Sequence, residues 1–244
     1  MGSNVKIWAH RGASGYAPEN TMEAFALAVD MGADGVELDV QMTRDGYLVV
    51  AHDERIERVS DGSGYIRDYT LKELKKLHFN RTCPEYKNAQ IPTLREVYEL
   101  LKSTPLEINA ELKTGIYFYE GIEERVLELA ARMGIMNRVI YSSFNHYSVK
   151  KIKDLDKSVR TGILYMDGLW QPVKYAKEIG ADALHPAFYN LFYPGVMKEA
   201  HKSGLRVHVW TVNEDEHMKQ CLEWGADAVI TNYPDRMRKI AQSS

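Results

Sequence analysis

Apolar and polar positions alternate with the two-residue period of strands in nine places along the chain: Val5–His10, Gly35–Gln41, Leu48–His52, Leu106–Lys113, Arg138–Ser142, Arg160–Tyr165, Asp182–His185, Arg206–Thr211 and Asp227–Thr231. Helix patterns fill most of the intervals. Three phrases, MGADGVEL at 31–38, IGADALHP at 179–186 and WGADAVIT at 224–231, repeat one junction in which a helix ends on glycine and a strand begins. Gly134 and Gly204 occupy the same place, which makes five such junctions. Helix starts carry capping-box spacing at Thr70/Glu73 and Thr93/Glu96, and in looser form at Asn20/Glu23 and Asn213/Glu216. Strand and helix alternate, so the pattern predicts an α/β fold of the TIM (β/α)8 barrel type. Nine strands are one too many for it. The Asp45-Gly46 turn between the second and third is too short for a helical crossover and predicts a hairpin. Residues 54–90 are loop-rich with a short helix at 69–77, and read as a small insertion in one domain spanning 1–244.

A chain of 244 residues can bury a sizeable core. Its net charge of −3 is spread along the sequence, with no basic stripe for nucleic acid and no polybasic tail for a membrane. The expected partner is therefore a small molecule. Cys83 and Cys221 are too few for a disulfide framework and lack metal-ligand spacing, which fits a reducing cytoplasm. No signal-peptide pattern precedes the first strand, and no apolar run reaches the roughly 18 residues that stable membrane insertion needs. Lys6 excludes a myristoylation signal. Met1–Ser3 reads as a remnant that need not be native, which leaves export open. Oligomeric state is not legible.

Chemistry enters with Glu37 and Asp39, two like charges on one face of an otherwise apolar strand. On a half-solvated strand they would be no more than its polar side. In a barrel, however, function gathers at the C-terminal strand ends, and other strand ends carry matching residues. KIWAHRG supplies His10 and Arg11, LVVAHD supplies His52, and EINAELK sets Glu111 and Lys113 on one face. Crowded carboxylates repel unless a cation neutralises them, and an all-oxygen set suits Mg²⁺ or Ca²⁺. Glu37, Asp39 and Glu111 are the expected metal ligands. A plainer reading pairs Glu111 with Lys113 and Arg11 with Asp39 as structural ion pairs. Arg11 and Lys113 are better read as clamps for an anion, a phosphate, with His10 and His52 as acid and base beside it. No activated Ser or Cys nucleophile is evident.

HRGASGYAPENT, GADGVELDVQMTRDGYLVVAHD, IPTLREV, AELK, VWTVN and ITNYPD together resemble the glycerophosphodiester phosphodiesterase family over nearly the whole chain. The resemblance implies a TIM barrel with a small domain inserted after His52, and metal-dependent hydrolysis of deacylated phospholipid head groups to glycerol 3-phosphate and an alcohol. By position it gives metal binding to Glu37, Asp39 and Glu111, acid and base roles to His10 and His52, and the phosphate to Arg11 and Lys113.

Trp210 and Phe188, both at strand ends, are candidates to wall the glycerol site, against an equally simple packing role for each. Tyr16 lies near the HRG loop, and His185 reads as a structural histidine. The competing functions are a related barrel phospholipase of the phosphatidylinositol or sphingomyelin type, which needs an interfacial apolar surface not visible in the sequence, and a non-catalytic binder of phosphate esters, which has little use for two histidines.

Overall fold

Nine strands form among the described residues: β1 (Lys6–His10), β2 (Gly35–Met42), β3 (Leu48–Val50), β4 (Glu107–Leu112), β5 (Val139–Ser143), β6 (Arg160–Tyr165), β7 (Ala183–Pro186), β8 (Arg206–Val209) and β9 (Ala228–Thr231). All but β3 run parallel in the order β1-β9-β8-β7-β6-β5-β4-β2, and pairing of β1 with β2 closes the ring. This is a TIM barrel, and the computed structural model describes residues 5–243 of it. The reading of Met1–Ser3 lies outside those residues.

The ninth strand is the hairpin partner expected from Asp45-Gly46. β1 stops with His10 opposite Glu37, so the upper half of β2 has no partner on that side. β3 takes the vacant edge antiparallel, pairing Val50 with Val40 and Leu48 with Met42. The fold thereby delivers His52, just past β3, to the same end of the barrel as His10.

Helices α1 (Met22–Asp30), α2 (Leu71–Leu74), α3 (Leu94–Lys102), α4 (Ile122–Met133), α5 (His146–Leu155), α6 (Pro172–Ile179), α7 (Val196–Lys202), α8 (Asp215–Glu223) and α9 (Pro234–Ser243) complete the order. α3 shows why they form. Its buried Leu94, Val97, Tyr98 and Leu101 recur at three and four residues, and Thr93 and Glu96 make the full reciprocal capping box. Thr70 and Glu73 do the same for α2. The two looser Asn signals require correction: α1 is capped by Thr21, α8 starts after Glu214, and Asn20 and Asn213 turn their side chains elsewhere. The five helix-ending glycines all have positive φ, from 69° to 86°.

Outward-facing strand residues such as Ile7, Ala9, Val36, Leu38 and Ile108 pack under the helices in two large apolar clusters. A third cluster, with Ile56, Ile66, Leu74 and Phe79, lies under the segment between β3 and α3. Inside the barrel Trp8, Ile140, Ala228 and Ile230 fill the lower layer, beside His185 and His208. Two glycines make that filling possible. A methyl group on Gly35 would sit 2.7 Å from the Trp8 ring, and one on Gly162 would sit 2.2 Å from the His185 ring. No helix among the described residues is long and apolar enough to cross a membrane.

Candidate active site

The pleat of β2 and β4 turns Glu37, Asp39 and Glu111 into the barrel, and the register sets Asp39 opposite Glu111. All three are buried, and one oxygen of each lies within 4.8 Å of the others. Around them stand Arg11 and Lys113. Arg11 has a left-handed backbone (φ 54°), donates its amide to Glu37 Oε2 at 3.0 Å, and aims its guanidinium at Glu19 (2.9 Å) and Asp39 (3.4 Å). Lys113 Nζ donates to Glu111 Oε1 at 2.8 Å and lies 3.7 Å from Asp39 Oδ1. These contacts are the ion pairs of the plainer reading, and they also put both cations at the rim of the carboxylate trio.

Burial, and after it the charges of Asp39 and Glu111, push the Glu37 carboxyl well above the usual carboxylate range. Burial also pushes Glu111 up, more than Lys113 pulls it down. For Asp39 burial acts in the same sense, but Arg11 and then Lys113 outweigh it and hold the group well below its ordinary value. Arg11 and Lys113 relieve part of the trio's negative charge, and the raised Glu37 and Glu111 show that part of the repulsion remains. Asp39 Oδ1 is buried without a hydrogen-bond partner. A divalent cation fits this set: the donors are all hard oxygens, and it would satisfy Asp39 Oδ1, which accepts no hydrogen bond.

The two histidines have different neighbours. His10 Nδ1 lies 2.7 Å from Asn232 Oδ1, whose amide oxygen can only accept, so Nδ1 carries the proton and Nε2 is the free lone pair. Burial first, and Arg11 second, lower the His10 ring to about 4. His52 Nδ1 instead faces a carboxylate, Asp53 Oδ1, at 2.6 Å. Asp53 is held well below the usual range, by that hydrogen bond first. Arg58 locks the arrangement by donating to Asp53 at 2.5 Å and to both oxygens of Glu19 at 2.7 and 2.8 Å.

Several residues that the sequence reading passed over hold this group in place. Asn20, at φ 57°, donates Nδ2 to Asp39 Oδ2 at 2.8 Å. Gln41 Nε2 donates to the carbonyls of Ala51, His52 and Asp53, at 2.9, 3.2 and 2.8 Å, and so fixes the turn that carries His52. The only advance signal was chemical: a polar Gln continuing the inner face of an apolar strand.

The other candidates have partners of their own. Trp210, just past β8, is half-buried, donates Nε1 to the His185 carbonyl at 2.7 Å and meets the ring of Phe144 edge-on at 5.4 Å. Phe188, in the short 3₁₀ turn after β7, is buried, with its ring stacked 4.0 Å from His217 and 6.0 Å from Trp224. Tyr16 donates its hydroxyl to Asp235 at 2.9 Å. His185 is fully buried against His208, ring nitrogens 2.9 Å apart.

Comparison with known proteins bears on the family and the fold. The sequence pattern of the Glycerophosphoryl diester phosphodiesterase family matches residues 10–236. A glycerophosphodiester phosphodiesterase of Caldanaerobacter subterraneus subsp. tengcongensis is 41% identical over 237 residues, 97% of each chain. One of Bacillus altitudinis is 42% identical over 244 residues, 98% of each chain. Among solved structures, an Oleispira antarctica phosphodiesterase in complex with the product sn-glycerol-3-phosphate is similar with a TM-score of 0.86 and 29% identity, covering 98% of this chain and 97% of that one. With a closed barrel and family motifs running from the first strand to the last helix, the chain belongs to the glycerophosphodiester phosphodiesterase family of phosphoric diester hydrolases.

Proposed function

We propose that the chain hydrolyses glycerophosphodiesters such as glycerophosphocholine to sn-glycerol 3-phosphate and an alcohol, in the cytoplasm, with Mg²⁺ or Ca²⁺ held by Glu37, Asp39 and Glu111. The observation that carries this reading is the buried carboxylate trio, in which Asp39 Oδ1 accepts no hydrogen bond, flanked by two histidines. When bound, the cation supplies positive charge where negative charge develops on the phosphoryl oxygens and the reacting hydroxyl. Arg11 and Lys113 orient the phosphate, and Trp210 borders the glycerol.

None of the converging side chains is a Ser, Thr or Cys, so the nucleophile comes from the substrate or from water. The glycerol 2-hydroxyl is already next to phosphorus, and an attack from within the substrate avoids the entropy of recruiting a second molecule. His10, neutral with Nε2 free, takes the proton from that hydroxyl. His52, whose Nδ1 rests on Asp53, delivers a proton to the departing alcohol. A five-membered cyclic phosphate results, and water opens it with the two roles reversed.

The test is phosphorus NMR on glycerophosphocholine and on its analogue lacking the 2-hydroxyl. Glycerophosphocholine should be consumed through a cyclic phosphate, with similar rates for ethanolamine and glycerol head groups, while the analogue stays intact. Rapid cleavage of the analogue without a cyclic species would assign the attack to water instead.

A further inference from the structure

Two ends of the catalytic group come from separate connections, Arg11 from the one after β1 and His52 from the one after β3. A pair of residues outside the group joins them: Glu19, shortly before α1, and Arg58, in the segment between β3 and α3. Arg58 grips Glu19 as a fork across 39 positions of sequence, Nη1 on Oε2 at 2.7 Å and Nη2 on Oε1 at 2.8 Å. This bidentate geometry fixes direction as well as distance. Each partner also reaches inward. Arg58 Nε donates to Asp53 Oδ2 at 2.5 Å, and the other oxygen of Asp53 meets His52 Nδ1 at 2.6 Å. Glu19 Oε1 accepts from Arg11 Nη1 at 2.9 Å. A chain of alternating charge, Asp39, Arg11, Glu19, Arg58 and Asp53, thus runs from the carboxylate trio round to His52.

An exposed ion pair on its own adds little to stability. Glu19 is a different kind of partner: its side chain is only 15% exposed, and it faces two guanidinium groups at once. Its place decides where Arg11 points. Arg11 Nε is buried and makes no hydrogen bond, although Asp39 Oδ2 lies 3.4 Å away. Without Glu19, the pull of Asp39 and Glu37 draws the guanidinium onto the trio and away from a phosphate. Arg58 acts at the other end. Without it Asp53 keeps His52 as its one side-chain partner and is free to turn, and the His52 ring turns with it. Because the fork joins the two ends, a change at either residue is felt by both.

We infer that Glu19 and Arg58 are positioning residues that couple the acid to the phosphate clamp: their fork holds His52 and Arg11 in the one arrangement in which both address the same phosphate. Neither touches the reacting atoms. This rests on the proposed function, in which His52 gives its proton to the departing alcohol and Arg11 orients the phosphate. It also gives the start of the segment after β3 a part in the reaction, since Arg58 belongs to that segment and meets Glu19 from the connection after β1.

The test compares glycerophosphocholine with the 4-nitrophenyl ester of sn-glycerol 3-phosphate, whose leaving group departs without a proton, on the metal-supplemented full chain. On glycerophosphocholine, Arg58→Gln should lower kcat by on the order of tenfold or more with KM little changed, the range for an outer partner of a reacting group. Glu19→Gln should lower kcat and raise KM as well, because Arg11 is released too. On the nitrophenyl ester Arg58→Gln should recover most of its kcat, since an acid no longer matters, while Glu19→Gln keeps its raised KM. The double variant should lose less than the product of the two single losses, by about fivefold or more. The ¹⁵N shifts of the His52 ring should change in Arg58→Gln while those of His10 stay as in the parent. Arg58→Lys keeps the charge but not the fork, should fall between the parent and Arg58→Gln, and carries the comparison if Arg58→Gln does not fold. Equal losses on both esters would reduce the fork to a structural brace and overturn the inference, as would single losses that simply multiply, or parental rates throughout. Release from neither ester by the parent overturns the proposed function together with the inference.

Discussion

At the scale of the residue, His10 and His52 suit different work because their Nδ1 partners differ, an amide oxygen for one and a carboxylate for the other. Each change to alanine should lower kcat by on the order of a hundredfold or more, the usual range for a positioned acid or base, with circular dichroism unchanged. Near-normal turnover across pH in either variant would reduce that histidine to packing or phosphate binding. Asp53→Asn removes the charge behind His52 and leaves one acceptor oxygen where His52 and Arg58 now use two. It should cost on the order of tenfold to a hundredfold in kcat with little change in KM, since an outer partner orients the group that reacts. The seven converging side chains were legible because each lies in a strand-end motif whose alternation fixes its direction. Asn20 was not. Its spacing to Glu23 imitates a cap, but its left-handed backbone sends the amide to Asp39 and leaves capping to Thr21. For Phe188, position at a strand end did not determine where its ring turned, which is onto His217.

At the scale of the element, nine strands and the antiparallel β3 followed from period and turn chemistry, with boundaries displaced by a residue or two where pairing ends before the apolar pattern does. Invisible in the pattern was the choice of partner inside the barrel. Gly162 lies in an apolar strand, and only the folded molecule shows the His185 imidazole filling the place of its side chain. Because that ring is buried and packed against His208, it has little room to retreat. Gly162→Ala should therefore destabilise the fold by about 1–3 kcal/mol, the range for overpacking a filled core. Urea unfolding measures it, and a stability equal to that of the parent would show that the barrel interior is looser than described.

At the scale of the whole molecule, the buried histidines couple the fold to acid. Burial lowers His185 to about 3, and burial followed by His185 lowers His208 well below its ordinary value. The unfolded chain takes up protons at these positions below about pH 6.5 while the folded chain does not, so their contribution is complete above that pH and is lost as pH falls toward 4. Glu37 and Glu111, pushed up by burial, act in the opposite sense, which makes a difference between variants the informative quantity. Between pH 6 and 4 the stability of His208→Gln should fall less steeply than that of the parent, by about 1.4 kcal/mol per pH unit. Equal slopes would mean that His208 is protonated in the folded barrel. The central claim, that the carboxylate trio serves a catalytic cation, is tested most directly by chelation. With EDTA, release of sn-glycerol 3-phosphate from glycerophosphocholine should cease while the far-ultraviolet circular dichroism stays native, and added Mg²⁺ or Ca²⁺ should restore it. Full turnover in EDTA would contradict the account.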